Sequence, residues 1–86
     1  MKLTWAKVAW EDYLYWQKAD KKVAKRINEL VRSAMRTPSE GIGKPEALKG
    51  DLQGYCSRRI THEHRLVYKY ENESLLIAAC RYHYGK

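Results

Sequence analysis

Four arginines lie in segments of the second half of the chain whose composition is typical of β-strands. They are Arg58, Arg59, Arg65 and Arg81. Antiparallel strands would bring such side chains together, and a guanidinium group matches a phosphate through two parallel hydrogen bonds. Arg59 and Arg65 are therefore interpreted as phosphate-binding residues. For Arg58 and Arg81 two alternatives stay open, a phosphate ligand or an ion pair with a glutamate at the sheet edge. The candidate glutamates are Glu63, Glu71 and Glu73.

Two candidates for proton transfer accompany the arginines. Glu46 lies in a long segment rich in Gly and Pro, and His83 lies between Tyr82 and Tyr84. With clustered cations, a carboxylate base and a histidine acid are the groups needed to cleave RNA without a metal. The base removes the 2′-hydroxyl proton, that oxygen attacks phosphorus, and the acid protonates the departing 5′-oxygen. DNA lacks the 2′-hydroxyl and would be spared, while the two tyrosines are candidates for base stacking or phosphate contact.

The charge of the chain favours a polyanionic partner. Seventeen Lys and Arg against ten Asp and Glu give a net charge of +7. Residues 21–49 alone hold eight basic and three acidic side chains, so this part is the expected contact surface for nucleic acid. For Lys21, Lys22 and Lys25 taken alone, a solvated helix face is the preferred interpretation.

Composition also limits the compartment and the chemistry. The longest apolar run, Leu75 to Cys80, is too short for a membrane span or a secretory signal, so a cytoplasmic protein without membrane contact is expected. Cys56 and Cys80 form no C-x-x-C pair, and their spacing with the three histidines matches no common zinc pattern. Reduced thiols are therefore predicted, with no metal and no cofactor.

The first half of the chain predicts one strand and two helices. Alternation at Met1, Leu3 and Trp5 indicates a short strand, and the spacing of apolar residues predicts a helix from about Lys7 to Lys18. Asp20 can cap a second helix that ends before Thr37 and Pro38. The apolar stripe of this second helix consists of Val23, Ile27, Leu30, Val31 and Ala34.

The second half predicts a long connection followed by strands. Residues 37–54 hold both prolines and four of the five glycines, which indicates a loop with one short helical turn at Pro45 to Lys49. Three strands joined by short turns are predicted next, at Tyr55 to Thr61, Arg65 to Tyr70 and Leu75 to Tyr82. The core candidates on these strands are Ile60, Leu66, Leu75 and Ile77. The expected fold is of the α+β class, a single domain over residues 1–86 in which a small antiparallel sheet packs on two N-terminal helices in the order β-α-α-β-β-β.

Several motifs in sequence order resemble one family, the YoeB toxins of the RelE-like messenger-RNA interferases. The motifs are W-x-x-Y-L-Y-W at Trp10 to Trp16, K-P-E-x-L-K at Lys44 to Lys49, S-R-R-I-T at Ser57 to Thr61, E-H-R-L-V-Y at Glu63 to Tyr68, and L-L-I-A-A-C-R-Y-H-Y at Leu75 to Tyr84. The resemblance covers essentially the whole chain. It implies a RelE-like fold, a tendency to form homodimers, and a toxin that cleaves messenger RNA in the ribosomal A site and is neutralised by a YefM-like antitoxin.

The resemblance also implies roles for individual residues. It makes Glu46 the general base, His83 the general acid and Arg65 the residue that stabilises the phosphate. Lys49, Arg59 and Tyr84 are implied to contact the phosphate and the flanking bases. The chain departs from the family pattern in two places, at Cys56, where relatives usually carry an aromatic residue, and at the Gly85-Lys86 extension.

Two alternatives to this function come from the class of binding proteins. One is a non-catalytic relative of the same fold that acts by binding, as ParE-like gyrase poisons do. The other is a plain RNA-binding module, for which clustered Arg and Tyr would suffice. Neither alternative gives Glu46 or His83 a task.

Overall fold

A computed structural model of the chain describes residues 1–83. The elements, in chain order, are β1 (Lys2–Trp5), α1 (Lys7–Ala19), α2 (Lys21–Arg36), β2 (Glu46–Ala47), a short 3₁₀ turn (Gly50–Leu52), β3 (Cys56–Arg59), β4 (Arg65–Glu71) and β5 (Ser74–Ala79). Two helices near the start of the chain are followed by most of a small sheet, which confirms the predicted α+β class.

The five strands form one mixed sheet in the order β1-β5-β4-β3-β2. Strands β2 to β5 pair antiparallel with their neighbours, as short turns require, but β1 pairs parallel with β5. A parallel pair needs a long crossover connection, and the two helices with the following strands supply it. The sheet is therefore mixed where a purely antiparallel one was expected, because no local turn fixes the direction of β1.

The helical turn predicted at Pro45 to Lys49 is wrong. Glu46 and Ala47 instead form the edge strand β2, which pairs with Ser57 and Cys56 of β3. The pairing extends to Leu48, whose N–H donates to the Tyr55 carbonyl at 2.9 Å. An unpaired strand edge attracts such a segment through its free backbone groups, and this tertiary influence is invisible in the local sequence.

Helix α2 follows its predicted pattern. All five residues of its apolar stripe are buried. Its first turn is capped by Asp20, whose Oδ1 accepts hydrogen bonds from the N–H groups of Lys22 at 3.1 Å and Val23 at 3.3 Å. The helix ends at Arg36, before the Thr37-Pro38 pair, because the residue preceding a proline is restricted to extended conformations. Within residues 1–83, neither helix is long and apolar enough to cross a membrane.

The core lies between the helices and one face of the sheet. Leu66 and Tyr68 of β4 and Leu75 and Ile77 of β5 are fully buried there. Ile60, just beyond β3, is buried as well, so the four core residues predicted from the strands are confirmed.

Among the aromatic residues of the first half, only Trp16 is buried in this core. Trp5, Trp10 and Tyr13 form a ring cluster at its margin, with centroids 4.9 to 5.8 Å apart. Trp10 is 46% exposed, so this cluster packs α1 against β1 at the surface.

Candidate active site

The face of the sheet opposite the helices carries three of the candidate residues. Strand register decides this, because directly paired residues share a face and residues two apart on one strand also share a face. Glu46 pairs with Ser57, Arg59 follows Ser57 two residues later, and Arg59 pairs with Arg65. The structure therefore brings Glu46, Arg59 and Arg65 onto the face away from the helices, called the open face below, contributed by three neighbouring strands. Glu46 and Arg59 are exposed there, whereas Ser57 and Val67 on the same face are buried.

The Arg65 guanidinium is anchored by the β3–β4 turn. Its Nη1 donates to the carbonyls of Thr61 at 2.8 Å, His62 at 3.1 Å and His64 at 3.1 Å. The turn itself is fixed because Thr61 Oγ1 accepts from the N–H groups of Glu63 and His64. No residue from 1 to 83 accepts a hydrogen bond from Nε or Nη2 of Arg65. A fixed guanidinium with unused donors is the form in which arginine binds an anion.

The chain leaves the sheet earlier than predicted, after Ala79 instead of Tyr82. The backbone of the next residue, Cys80, is hydrogen-bonded by side chains of α1. Asp12 Oδ2 accepts from the Cys80 N–H at 3.1 Å, and Trp16 Nε1 donates to the Cys80 carbonyl at 2.9 Å. Helix α1 thus ends the strand by replacing its ladder hydrogen bonds. These two side chains were not among the predicted functional residues, because Trp16 has the pattern of a core aromatic and no local signal shows that Asp12 faces the end of a strand.

Residues 80–83, the docked segment, then lie beside the β3–β4 turn. The Tyr82 N–H donates to Nδ1 of His64 at 2.7 Å, and the Tyr82 carbonyl accepts from the Arg65 N–H at 3.1 Å. His83 follows directly and is half-buried. The candidate general acid is therefore attached to a segment that is hydrogen-bonded to the backbone of the candidate phosphate ligand.

The supporting residues differ in how far the structure places them. Lys49 is exposed between β2 and the 3₁₀ turn. Arg59 is also exposed, and its backbone N–H donates to the Gly43 carbonyl at 2.7 Å. Tyr84 and the Gly85-Lys86 extension lie outside the described residues. Cys56, the other departure from the family pattern, packs half-buried against the core.

Both alternatives considered for Arg58 are wrong. Its side chain is fully buried on the helix side of the sheet, away from any surface that RNA could reach, and no acidic side chain of residues 1–83 pairs with it. All three of its nitrogens donate to uncharged protein oxygens. The acceptors are Tyr68 Oη at 2.9 Å, Ser33 Oγ at 2.7 Å, and the carbonyls of Thr37 at 2.8 Å, Glu40 at 2.8 Å, Ile42 at 3.1 Å and Pro38 at 3.4 Å. The alternation of the strand contained this signal, since Arg58 lies two residues before the predicted core residue Ile60.

Arg81 also makes none of the expected ion pairs. Its guanidinium carbon lies 3.6 Å from the centroid of the Tyr15 ring and 4.7 Å from that of Tyr82. Within residues 1–83, Glu71 pairs instead with Lys69, and Glu63 Oε1 lies 3.8 Å from Nε2 of His64. Arg81 therefore attaches the docked segment to α1 through cation–π contact.

Burial also raises the pKa values of two groups where this segment meets α1. It raises the pKa of the Asp12 carboxyl above its ordinary value, although the Cys80 N–H and Arg81 oppose the shift. Burial, with a smaller contribution from Asp12, raises the pKa of the Cys80 thiol to about 12. Cys80 and the half-buried Cys56 are both free thiols, as predicted. In the part of the chain that the structure describes, no group of three or more His, Cys, Asp or Glu side chains could hold a metal ion.

Comparison with known proteins defines the class. Residues 5–84 match a family model described as a YoeB-like toxin of bacterial type II toxin-antitoxin systems. Toxin YoeB from Escherichia coli (strain K12) is 63% identical over 84 residues, which cover 98% of this chain and all of that protein. The chain belongs to the YoeB toxin family.

Solved structures agree with this assignment. A YoeB/ParE toxin from Agrobacterium tumefaciens superposes with a TM-score of 0.95 at 51% identity, covering 98% of this chain and 100% of that one. A YoeB–YefM complex from Staphylococcus aureus superposes with a TM-score of 0.89 at 53% identity. A YoeB dimer from the same organism superposes with a TM-score of 0.90 at 54% identity. Each match covers 98% of this chain and 98% of the relative. The RelE-like fold implied by the sequence resemblance is confirmed.

Proposed function

We propose that this protein is a metal-independent endoribonuclease that cleaves messenger RNA in the ribosomal A site and so inhibits translation. The observation that carries the proposal is the shared open face of Glu46, Arg59 and Arg65, beside which the segment that leads into His83 is docked. A purely binding toxin would require the cations but neither the carboxylate nor the histidine.

The proposed reaction assigns one step to each group. The Glu46 carboxylate removes the proton of a 2′-hydroxyl, and the oxygen attacks the adjacent phosphorus. The Nε and Nη2 donors of Arg65, for which residues 1–83 supply no acceptor, stabilise the charge that builds on the phosphoryl oxygens. His83 protonates the departing 5′-oxygen. The products are a 2′,3′-cyclic phosphate and a 5′-hydroxyl.

The remaining site residues have supporting roles in this proposal. Arg59 lies next to Arg65 on the open face, and Lys49 follows the strand that carries Glu46. Both are exposed cations that can contact neighbouring phosphates of the message. Tyr84 is assigned to a flanking base or phosphate, by analogy with the family pattern.

Partners follow from the family and from the charge. The S. aureus relatives form a YoeB–YefM complex and a YoeB dimer, and we extend both to this chain as a YefM-like antitoxin partner and a homodimer. A net charge of +7 favours an acidic antitoxin segment over the basic face, with association that weakens as salt increases. Because bacterial ribosomes translate messages in the cytoplasm, the proposed activity belongs to that compartment.

The decisive experiment maps message ends after the protein acts on ribosomes translating a defined message. We expect 5′-hydroxyl and cyclic or 3′-phosphate ends, and we expect cutting to persist when EDTA is in excess and only magnesium is restored for the ribosome. Ends with 5′-phosphate and 3′-hydroxyl would instead indicate activated water and contradict the mechanism. Gyrase supercoiling measured in parallel would fall only if the protein acts like ParE.

Two substitutions test the proton-transfer roles. Glu46→Gln and His83→Gln preserve size and polarity, so each should slow single-turnover cleavage by roughly 10²- to 10⁴-fold while ribosome binding changes little. Lys21→Ala is the control, because this exposed residue at the start of α2 should at most weaken ribosome association in a salt-dependent way. A Glu46→Gln variant that cuts at the wild-type rate would remove Glu46 from the reaction.

A further inference from the structure

The backbone of Tyr82 adopts a conformation that residues with side chains rarely occupy. Its φ is 66°, in the left-handed region where Cβ crowds the backbone. Such a conformation persists only where the surroundings hold it. Both polar groups of the Tyr82 backbone are held, the N–H by Nδ1 of His64 at 2.7 Å and the carbonyl by the N–H of Arg65 at 3.1 Å.

The imidazole of His64 is itself fixed in place. Its side chain is only 13% exposed, and its ring meets the Trp16 ring edge-on, with centroids 4.8 Å apart and planes at 77°. Because Nδ1 accepts a hydrogen bond, it carries no proton, and the proton of the neutral ring is on Nε2. Nε2 lies 3.8 Å from Glu63 Oε1, an orientation compatible with this tautomer.

The same pair of rings holds the chain at two points. Trp16 donates to the Cys80 carbonyl at 2.9 Å, and His64 accepts from the Tyr82 N–H. The two contacts bracket Arg81 and leave His83 as the next residue. The direction in which the chain enters His83 is therefore set by the backbone of Tyr82, whose N–H is held by a single imidazole nitrogen.

From this geometry we infer that His64 is a positioning residue, whose Nδ1 orients the Tyr82 peptide and thereby places His83 for proton transfer. The inference rests on the function proposed above, since it gives His64 a role through the general acid. His64 itself touches no substrate in this role. Misplacing a reacting group by about 1 Å can cost roughly 100-fold in rate, so a single lost acceptor has a measurable consequence.

Two substitutions separate the acceptor at Nδ1 from the rest of the ring. The amide oxygen of Asn can take the place of Nδ1, whereas the longer Gln carries its amide toward the place of Nε2. His64→Asn therefore preserves the acceptor and His64→Gln removes it. His62→Gln is the matched control, because His62 is an exposed histidine of the same turn. Thermal unfolding of every variant distinguishes loss of the fold from loss of positioning.

The first measurement is hydrogen exchange of the Tyr82 amide in the isolated protein by NMR, which requires no RNA. His64→Gln should lower its protection about tenfold or more, whereas His64→Asn and His62→Gln should leave it within about threefold of wild type. The second measurement is single-turnover cleavage on ribosome complexes at saturating protein. His64→Gln should be slowed roughly 10- to 100-fold with unchanged ribosome affinity, and His64→Asn should stay close to wild type.

Equal protection of the Tyr82 amide in His64→Gln and in the wild-type protein would overturn the inference. A His64→Asn variant as slow as His64→Gln would overturn it too, because the acceptor would then not be the property that matters. If the wild-type protein does not cut ribosome-bound message, the proposed function fails, and the exchange result alone decides whether His64 holds Tyr82.

Discussion

Arg58 and Arg65 lie on neighbouring strands, yet the protein surrounds them in opposite ways. The Arg58 guanidinium is fully buried, and all three of its nitrogens donate to protein oxygens. The Arg65 guanidinium is only half-buried, and within residues 1–83 it is bound through Nη1 alone. One arginine holds a loop together, and the other presents, on the open face, two donors for which the described part of the chain supplies no acceptor.

The difference shows that the number of acceptors supplied by the protein decides the role of an arginine. Arg58 and Arg59 are adjacent in sequence, but strand alternation sends them to opposite faces. The acceptors for Arg58 come from Tyr68 on β4, from Ser33 on α2 and from the loop of residues 37–42. That loop continues through residues 43–45 into β2, so the buried arginine supports the segment that carries Glu46.

The largest expected effect concerns the stability of the buried region. Arg58→Met removes the donors and leaves several part-buried carbonyls without partners, so the free energy of unfolding should fall by about 3 to 5 kcal/mol. Urea unfolding measures this loss. Arg59→Met is the control at the adjacent exposed position and should change stability by no more than about 0.5 kcal/mol. Equal losses of unfolding free energy in Arg58→Met and Arg59→Met would contradict the structural role of Arg58.

On the open face the expected effect is on rate instead of stability. Arg65→Ala should raise the barrier to cleavage by roughly 3 to 4 kcal/mol, because a stabilising cation is lost as charge builds at phosphorus. The unfolding free energy should fall by only about 1 kcal/mol, since Nη1 binds carbonyls of a surface turn. Single-turnover cleavage and urea unfolding, measured on one preparation, compare the two losses. A variant that loses stability but keeps its cleavage rate would place Arg65 in the same category as Arg58.

The smallest effect is expected at Asp12, which is buried in part and holds the docked segment. Burial raises the pKa of its carboxyl in the folded state, so its contribution to stability is complete below the ordinary Asp pKa and is lost as the pH rises through the raised value. Asp12→Asn preserves an acceptor for the Cys80 N–H and removes the titration. Urea unfolding from about pH 3 to about pH 7 should show the wild type losing stability relative to this variant as the pH rises. A constant difference in unfolding free energy between the wild type and Asp12→Asn across that pH range would refute the raised pKa of Asp12.

Local pattern predicted the helices well because the interactions that define them are local. The apolar stripe of α2 recurs at helical spacing, and Asp20 caps its first turn within three residues. The strands β3, β4 and β5 were also predicted, since short turns and alternation are local as well. The exact end of β5 was not, because Asp12 and Trp16 on α1 end it from a distance.

The sequence by itself determined the types of residue available for chemistry, the basic charge, the α+β class and, through its resemblance to a family, which residues to consider. Only the tertiary structure decided that Arg58 is structural, that Glu46 lies on an edge strand, and that His64 holds the segment leading to His83. Each of these outcomes depends on hydrogen bonds between groups distant in sequence, such as the bond from Arg58 to Ser33 or from Tyr82 to His64. Such bonds form wherever the fold brings a donor to an acceptor in a place shielded from water, and residue type and spacing alone do not specify that place.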